Sequence, residues 1–393
     1  MTLAVLGAPG AREGRGAGRS VQSRRRHGRC TRPSGGKGNH VEGLRIATIG
    51  TSGICARFCD ALAECEGVEL VGTYSRDLDR ARSFGGPRGA RLFFDDLDAL
   101  AGSPEVDAVY VASPNALHAS QTLRMIAGGK HVLVEKALAS NEREAREVFD
   151  AARAAGVVAL EATRSLHTPS FRAIERVVSG ELGPVRLATI RFSKVSSRMP
   201  RLLAGERVNI FDPALAAGAL MDIGVYCVEP AVALFGRPDE VRALSVTAPV
   251  PGCAEGDPCS TIDLAGEVIL GYADKVVSLS YGKASDGMLG SQVEGERGTL
   301  VWEPTSGPER LWLHECAVAG QVFRVERAEM RPLEVEVPEN DMVCELADFV
   351  AAARGDAAAL AARERFERVT LDSLAVMDEV RRQAGVRFPA DLL

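Results

Sequence analysis

The regular alternation of strand-like and helix-like segments between Leu44 and Glu161 constrains this chain most. Leu44–Gly50 reads as a strand that runs into the turn Gly50-Thr51-Ser52-Gly53-Ile54 and then a helix to about Cys65. Val68–Ser75 is a second strand, followed by a helix from Asp77. Arg91–Phe94 and Val106–Ala112 read as strands three and four. A helix over Ala116–Ala127, a strand over Lys130–Val134, a helix over Asn141–Ala155 and a strand over Val157–Glu161 complete the series. Repetition of this kind calls for a parallel sheet with right-handed crossovers.

Within that series the stretch Lys130–Ala137 stands out. Val132-Leu133-Val134 is what a strand buried on both faces requires, and the strand ends in Glu135 and Lys136. In an open parallel sheet, ligands bind beyond the carboxyl ends of the strands. A surface ion pair at such a turn would contribute only ~0–1 kcal/mol, so position alone leaves a structural and a chemical reading open.

The turn after the first strand is a degenerate phosphate-binding pattern. Glycines there let backbone approach a diphosphate at the helix N-terminus, and here Ser52 stands where a second glycine is usual, with Gly53 beside it. Gly50, Ser52, Gly53 and Ile54 are therefore candidate cofactor contacts. An acid at the end of the second strand would select NAD, but this chain has Ser75-Arg76. A hydroxyl and a guanidinium suit a 2′-phosphate, which favours NADP over NAD. Asp77 reads as a helix N-cap. Ser113-Pro114-Asn115 follows the fourth strand at the same sheet edge as Glu135-Lys136, with His118 one turn into the next helix. This loop is placed to lie under a nicotinamide ribose, although a plain helix start reads the same way.

Beyond Arg164 the pattern changes. Helix Ser170–Val178 and a strand from Pro184 precede strand-like runs at Ile262–Tyr272, Lys275–Lys283, Thr299–Glu303, Arg310–His314 and Gln321–Glu326. They imply a largely antiparallel sheet, with helices returning at Met342–Ala353 and Ala361–Gln383 and packing near the first half. Asp222 and Tyr226, four residues apart on a helix over Gly218–Phe235, share one face. On its own the pair reads as a core tyrosine with a satisfied hydroxyl.

Charge is uneven. The chain carries 47 basic and 53 acidic residues, and residues 1–40 hold nine of the basic residues and one acid. The remainder is strongly acidic, which argues against a nucleic-acid surface. Residues 1–43 show no helix or strand period and are expected to form a disordered basic tail, or to reflect an upstream start codon chosen in error. No apolar run is read as long enough to span a bilayer. Nine cysteines without a CxxC read as free thiols in a reducing cytoplasm, with no metal site.

These motifs together resemble the Gfo/Idh/MocA oxidoreductases. The carrying stretches are Ile49–Phe58, Val109–His118, Gly129–Ala137 and Gly218–Gly236, and the resemblance covers residues 44–393. Asp222-x-Gly224-x-Tyr226 is most similar to the branch with dimeric dihydrodiol dehydrogenase and NADP-dependent D-xylose dehydrogenase. The resemblance implies a Rossmann doubly wound domain over 44–165. It implies an α+β domain over 166–393 that holds substrate and pairs subunits into a homodimer or higher homo-oligomer. It also makes Lys136 catalytic, with Glu135 its neighbour in the motif. The family has Glu-Lys-Pro here; this chain has Ala137, which neither fixes φ nor favours a cis bond.

The implied reaction moves a hydride between a nicotinamide and a carbinol carbon of a sugar, polyol or trans-dihydrodiol. Tyr226 is the expected acid/base, and Lys136 either favours its tyrosinate form or carries the proton itself. Asp222 would orient substrate hydroxyls or hold Lys136 charged. Arg164 is a candidate phosphate or substrate contact, Asn209 and Phe211 are candidate cleft residues, and His167 reads as structural. The rivals are a non-catalytic NADP-binding regulator, which Ala137 encourages, and a non-redox glycoside cleavage or epimerisation that uses tightly held NAD.

Overall fold

The computed structural model describes residues 43–316 and 330–393. The basic tail up to residue 42 and the predicted strand Gln321–Glu326 lie outside the described residues.

The first half alternates as expected. Its elements are β1 (Leu44–Ile49), α1 (Gly53–Glu64), β2 (Val68–Tyr74), α2 (Leu78–Gly85), β3 (Leu92–Phe94) and α3 (Leu97–Ala101). Then come β4 (Ala108–Val111), α4 (Asn115–Ala127), β5 (His131–Glu135), α5 (Glu142–Ala155) and β6 (Ala159–Ala162). The six strands pair in parallel in the order β3-β2-β1-β4-β5-β6. Strand order reverses between β1 and β4, and a crevice opens at the carboxyl ends there. Val132, Leu133 and Val134 of β5 are at most 1% exposed, because helices cover both faces of the sheet. Local signals set the helix ends. The Asn141 side chain accepts the Glu144 N–H at the start of α5, and Gly156 closes it in the left-handed region.

The second half holds α6 (Arg164–His167), α7 (Pro169–Gly180), β7 (Val185–Ser193), α8 (Met199–Leu203), α9 (Val225–Phe235), β8 (Glu240–Pro249) and β9 (Thr261–Gly271). It continues with β10 (Val276–Gly282), β11 (Ser291–Gly295), β12 (Gly298–Glu303), β13 (Arg310–Glu315), β14 (Arg331–Leu333), α10 (Met342–Ala353) and α11 (Ala357–Ala384). The sheet runs β14-β13-β12-β11-β7-β10-β9-β8. β7 and β10 pair in parallel; every other neighbouring pair is antiparallel. The sequence reading does not single out β8, β11 or β14. β8 is an edge strand without a fully buried residue, and β14 has three residues, so neither carries a strong apolar period.

One face of this sheet packs on α9. The other leaves Leu187, Leu244, Val246, Ile269 and Val276 exposed on neighbouring strands. α10 packs on α1 and α6, and α11 packs on α5, α9 and β8, so the C-terminal helices do return to the first half. The stretch Pro213–Phe235 corrects the reading that no apolar run reaches membrane-spanning length. It qualifies by length and composition, but 78% of its most apolar window is buried inside the fold. The continuous helix expected over Gly218–Phe235 is also corrected: a π-helical turn, Leu220–Gly224, leads into α9.

Candidate active site

The crevice begins at the turn after β1. Gly50 has φ +123°, and a Cβ there would lie 2.8 Å from the Ala112 carbonyl oxygen, so a side chain is excluded. A Cβ on Gly53 would meet nothing within 4 Å. Ser52 is the N-cap of α1, but its hydroxyl turns to Cys55 Sγ (3.8 Å) and takes none of the first-turn N–H groups. The first-turn N–H groups of this helix, which have no intrahelical partner, therefore open onto free space. A diphosphate fits this cradle, and Gly50, Ser52, Gly53 and Ile54 are the residues that would hold it.

At the end of β2, Ser75 is half-buried and Arg76 exposed. Asp77 is the N-cap of α2, with Oδ1 accepting from the Asp79 N–H (3.0 Å) and the Arg80 N–H (3.2 Å). One oxygen of that carboxylate is spent on the cap, and the Ser75 hydroxyl accepts the Asp77 N–H (3.4 Å); Ser75 and Arg76 are the groups here that could meet a ribose or its phosphate.

Past β4, the Ser113 hydroxyl donates to Gln121 Oε1 (2.7 Å), and Asn115 Nδ2 donates to the Ala216 carbonyl (3.0 Å) in the second half of the chain. His118 is wholly buried, with its ring nitrogens 2.9 Å from the Ala137 carbonyl oxygen and 2.8 Å from that of Ser113. It ties the β4 and β5 loops together from beneath, so its part is to position them. Burial pushes its imidazole below the ordinary value.

Lys136 leaves the carboxyl end of β5 and crosses to the π-helical turn. Its Nζ donates to the Asp222 carbonyl (2.9 Å) and to Asp222 Oδ1 (3.2 Å), and lies 4.9 Å from the centre of the Tyr226 ring. The Lys136–Ala137 peptide is cis. Burial alone would lower the Lys136 ammonium, but Tyr226, Asp222 and Glu135 together hold it above its ordinary value. Asp222 is opposed by burial, yet Lys136 and Lys283 hold its carboxyl below the usual carboxylate range. Lys283 pairs with Asp222 Oδ2, so each carboxylate oxygen is held by an ammonium.

The Tyr226 hydroxyl accepts from Arg164 Nη2 (3.3 Å). Lys136 therefore faces the ring while Arg164 meets the hydroxyl. Arg164 Nη1 donates to Asp341 Oδ2 (2.7 Å), and Arg57 of α1 takes Asp341 Oδ1 (2.6 Å). Behind Lys136 lies a layer of buried carboxyls. Tyr110 donates its hydroxyl proton to Glu135 Oε1. Glu161 Oε1 accepts the Leu138 N–H (2.7 Å) and Oε2 accepts the Thr370 hydroxyl (2.6 Å). Burial and the facing Glu161 push the Glu229 carboxyl well up.

The structure thus brings Lys136, Asp222 and Tyr226 together from two halves of the chain. Phe211 is a correction: it is 0% exposed and packs in the core, so it lines no open cleft. Its place in an irregular segment drew attention, but core packing claimed the ring. Asn209 is exposed at the start of the same short turn. Arg164 is neither free nor a plain surface charge, being half-buried between Tyr226 and Asp341. His167 does have a partner, Asp348 (2.8 Å), and stacks near Phe366, which agrees with a structural role. Lys283 and Asp341 escaped the sequence reading. Neither carried a local signal: Lys283 is one lysine closing a strand that also holds Ser278 and Ser280, and the partners of Asp341 lie far away in sequence.

The chain was compared with known proteins. Residues 44–163 match the oxidoreductase family with an NAD-binding Rossmann fold, and residues 171–301 match the GFO/IDH/MocA C-terminal domain. It is 36% identical to the scyllo-inositol 2-dehydrogenase (NADP(+)) IolU of Bacillus subtilis, covering 88% of this chain and 99% of that protein. It is 31% identical to the trans-1,2-dihydrobenzene-1,2-diol dehydrogenase of Macaca fascicularis over 45% of this chain and 51% of that one. Among solved structures, the 3-ketoreductase KijD10 of Actinomadura kijaniata, in complex with NADP and TDP-benzene, superposes with a TM-score of 0.69. That match has 22% identity and covers 88% of this chain and all of the other. With both halves matched and a full-length relative above 30% identity, the chain belongs to the Gfo/Idh/MocA family of oxidoreductases.

Proposed function

We propose that this oxidoreductase passes a hydride between a nicotinamide and a carbinol carbon of a sugar, polyol or trans-dihydrodiol, with NADP(H) preferred over NAD(H). The observation that carries the reading is the convergence of Lys136, Asp222 and Tyr226 at the carboxyl end of β5, beside the uncapped start of α1. Arg76 in place of an acid after β2 supports NADP, as does the cofactor printed for the Bacillus subtilis relative and for the KijD10 complex.

When bound, the nicotinamide accepts or supplies the hydride. Ser113, Pro114 and Asn115 would hold its ribose, and Ser75 and Arg76 would take the adenosine 2′-phosphate. Lys136 is held as an ammonium, so it serves as a hydrogen-bond donor to the carbinol oxygen and does not act as a base. Asp222 stays a carboxylate and fixes that donor. Tyr226 takes the hydroxyl proton in oxidation and returns it in reduction. The Arg164 N–H reaches its oxygen and the Lys136 ammonium lies over its ring, so two cations face the group that moves the proton. General acid–base catalysis of this kind supplies ~10²–10⁴-fold.

The domains divide near residue 165, and the exposed apolar sheet face pairs copies into a homodimer or higher homo-oligomer. Free cysteines throughout the described residues fit a cytoplasmic setting. The test is a screen of NADP⁺ and NAD⁺ against inositols, aldoses and trans-dihydrodiols, read by reduced-nicotinamide absorbance. Reduction of NADP⁺ by at least one class is expected. Silence with all of them, with a cofactor that co-purifies and never exchanges, would favour the non-redox use of NAD; silence with exchangeable cofactor would favour a regulator.

A further inference from the structure

We propose that Lys283 determines specificity by donating to a substrate oxygen on the carbon next to the reacting carbinol; this rests on the hydride-transfer reading above. Lys283 follows β10 directly, and its backbone is pinned on both sides. Its N–H donates to the Leu264 carbonyl (2.8 Å), and its carbonyl accepts from the Ser196 N–H (2.9 Å). Its side chain is only 8% exposed. The single partner of Nζ among the described residues is Asp222 Oδ2.

An ammonium has three N–H donors. Lys136 spends its bonds on the Asp222 carbonyl and Oδ1. One donor of Lys136 and two of Lys283 therefore have no protein partner among the described residues, in a place where unspent polar groups are costly. Asp222 itself is 31% exposed, so the site opens to ligand at this carboxylate. Two ammonium groups are held on the two oxygens of one carboxylate. A ligand with two neighbouring oxygens can meet both, with the carbinol oxygen on Lys136 and an adjacent hydroxyl on Lys283. A backbone anchored at both ends makes the second donor a rigid one. The site thus selects vicinal diols and their hydroxyketone products over isolated alcohols.

The test compares trans-cyclohexane-1,2-diol with cyclohexanol, each with NADP⁺, in wild type, Lys283→Met and Lys283→Arg. Wild type should prefer the diol. Lys283→Met should reduce that preference, as the ratio of the two kcat/KM values, by roughly 10–100-fold, the size of a lost hydrogen bond to a charged group. The loss should fall mainly on KM for the diol, and Lys283→Arg should restore part of the ratio. If Lys283 only braces Asp222, both alcohols lose kcat together and the ratio is unchanged, which overturns the proposal. A wild type inert toward every alcohol overturns the hydride-transfer reading instead. Calorimetric titration of the diol into NADP-loaded protein then decides: weaker binding to Lys283→Met upholds the role of Lys283, and equal binding refutes it.

Discussion

Lys136 and Asp222 are charged for reasons that can be traced atom by atom. Asp222 is lowered and Lys136 raised, so their ion pair contributes stability above the ordinary carboxylate value and below the ordinary ammonium value. It is lost only as pH falls through the lowered Asp222 value or rises through the raised Lys136 value. Between about pH 5 and 9 neither group titrates, and a break in the pH–rate profile there belongs to another group. Tyr226→Phe should cut turnover by ~10²–10⁴-fold with NADPH binding kept, as kcat and a cofactor titration would show. Arg76→Ala should weaken NADP binding by roughly 10–100-fold while leaving NAD nearly untouched, measured by fluorescence titration of the two reduced cofactors. Glu345 has the opposite electrostatic sense. Both its oxygens are buried without a partner among the described residues, and burial, with Glu135 and Asp341 nearby, pushes its carboxyl well up. A raised carboxyl favours the folded state at low pH, and that stability is lost as pH rises above the ordinary glutamate range. Glu345→Gln should therefore stabilise the protein by ~1–3 kcal/mol at pH 8 and by much less at pH 5, in denaturant melts at the two pH values.

At the scale of elements, the turn from β1 to α1 is the most demanding. Gly50→Ala places a Cβ at a positive φ and 2.8 Å from the Ala112 carbonyl oxygen. The turn must shift, and cofactor affinity should fall before the fold does, seen as lost NADPH binding with a retained circular dichroism spectrum. The parallel half of the fold was legible because burial on both faces leaves apolar runs such as Val132-Leu133-Val134, and because Asp77 and Asn141 sit where helix caps belong. The pairing of Lys136 with Asp222 and Tyr226 was legible only through the family motif, since nothing local announces an 86-residue contact. Other features were not legible. A π-helical turn over Leu220–Gly224 has the same apolar content as the α-helix it replaces. Lys283 looks like any lysine after a strand until the sheet brings it to Asp222. Phe211 was misread because an irregular segment can still deliver a side chain to the core.

The whole molecule joins two halves so that the first presents the proposed cofactor cradle and Lys136, while the second presents Asp222 and Tyr226 from a helix and Lys283 from the end of a strand. The open face of the larger sheet is unusual for an isolated copy: Leu244 is 83% and Val246 62% exposed, next to Ile269 on the neighbouring strand. An apolar face of this kind is where the proposed pairing of copies would take place. On the proposed pairing of copies through this face, Leu244→Asp with Ile269→Asp should lower the oligomeric state in light scattering while keeping the fold. The division of chemistry between the sheets is tested most directly by following reduced-nicotinamide absorbance with NADP⁺ and the best polyol of the screen, in wild type and Lys136→Ala side by side. Wild type should turn over, and Lys136→Ala should lose at least ~10²-fold in kcat with NADPH binding unchanged. Equal turnover by the two proteins would contradict the placing of the reaction at Lys136.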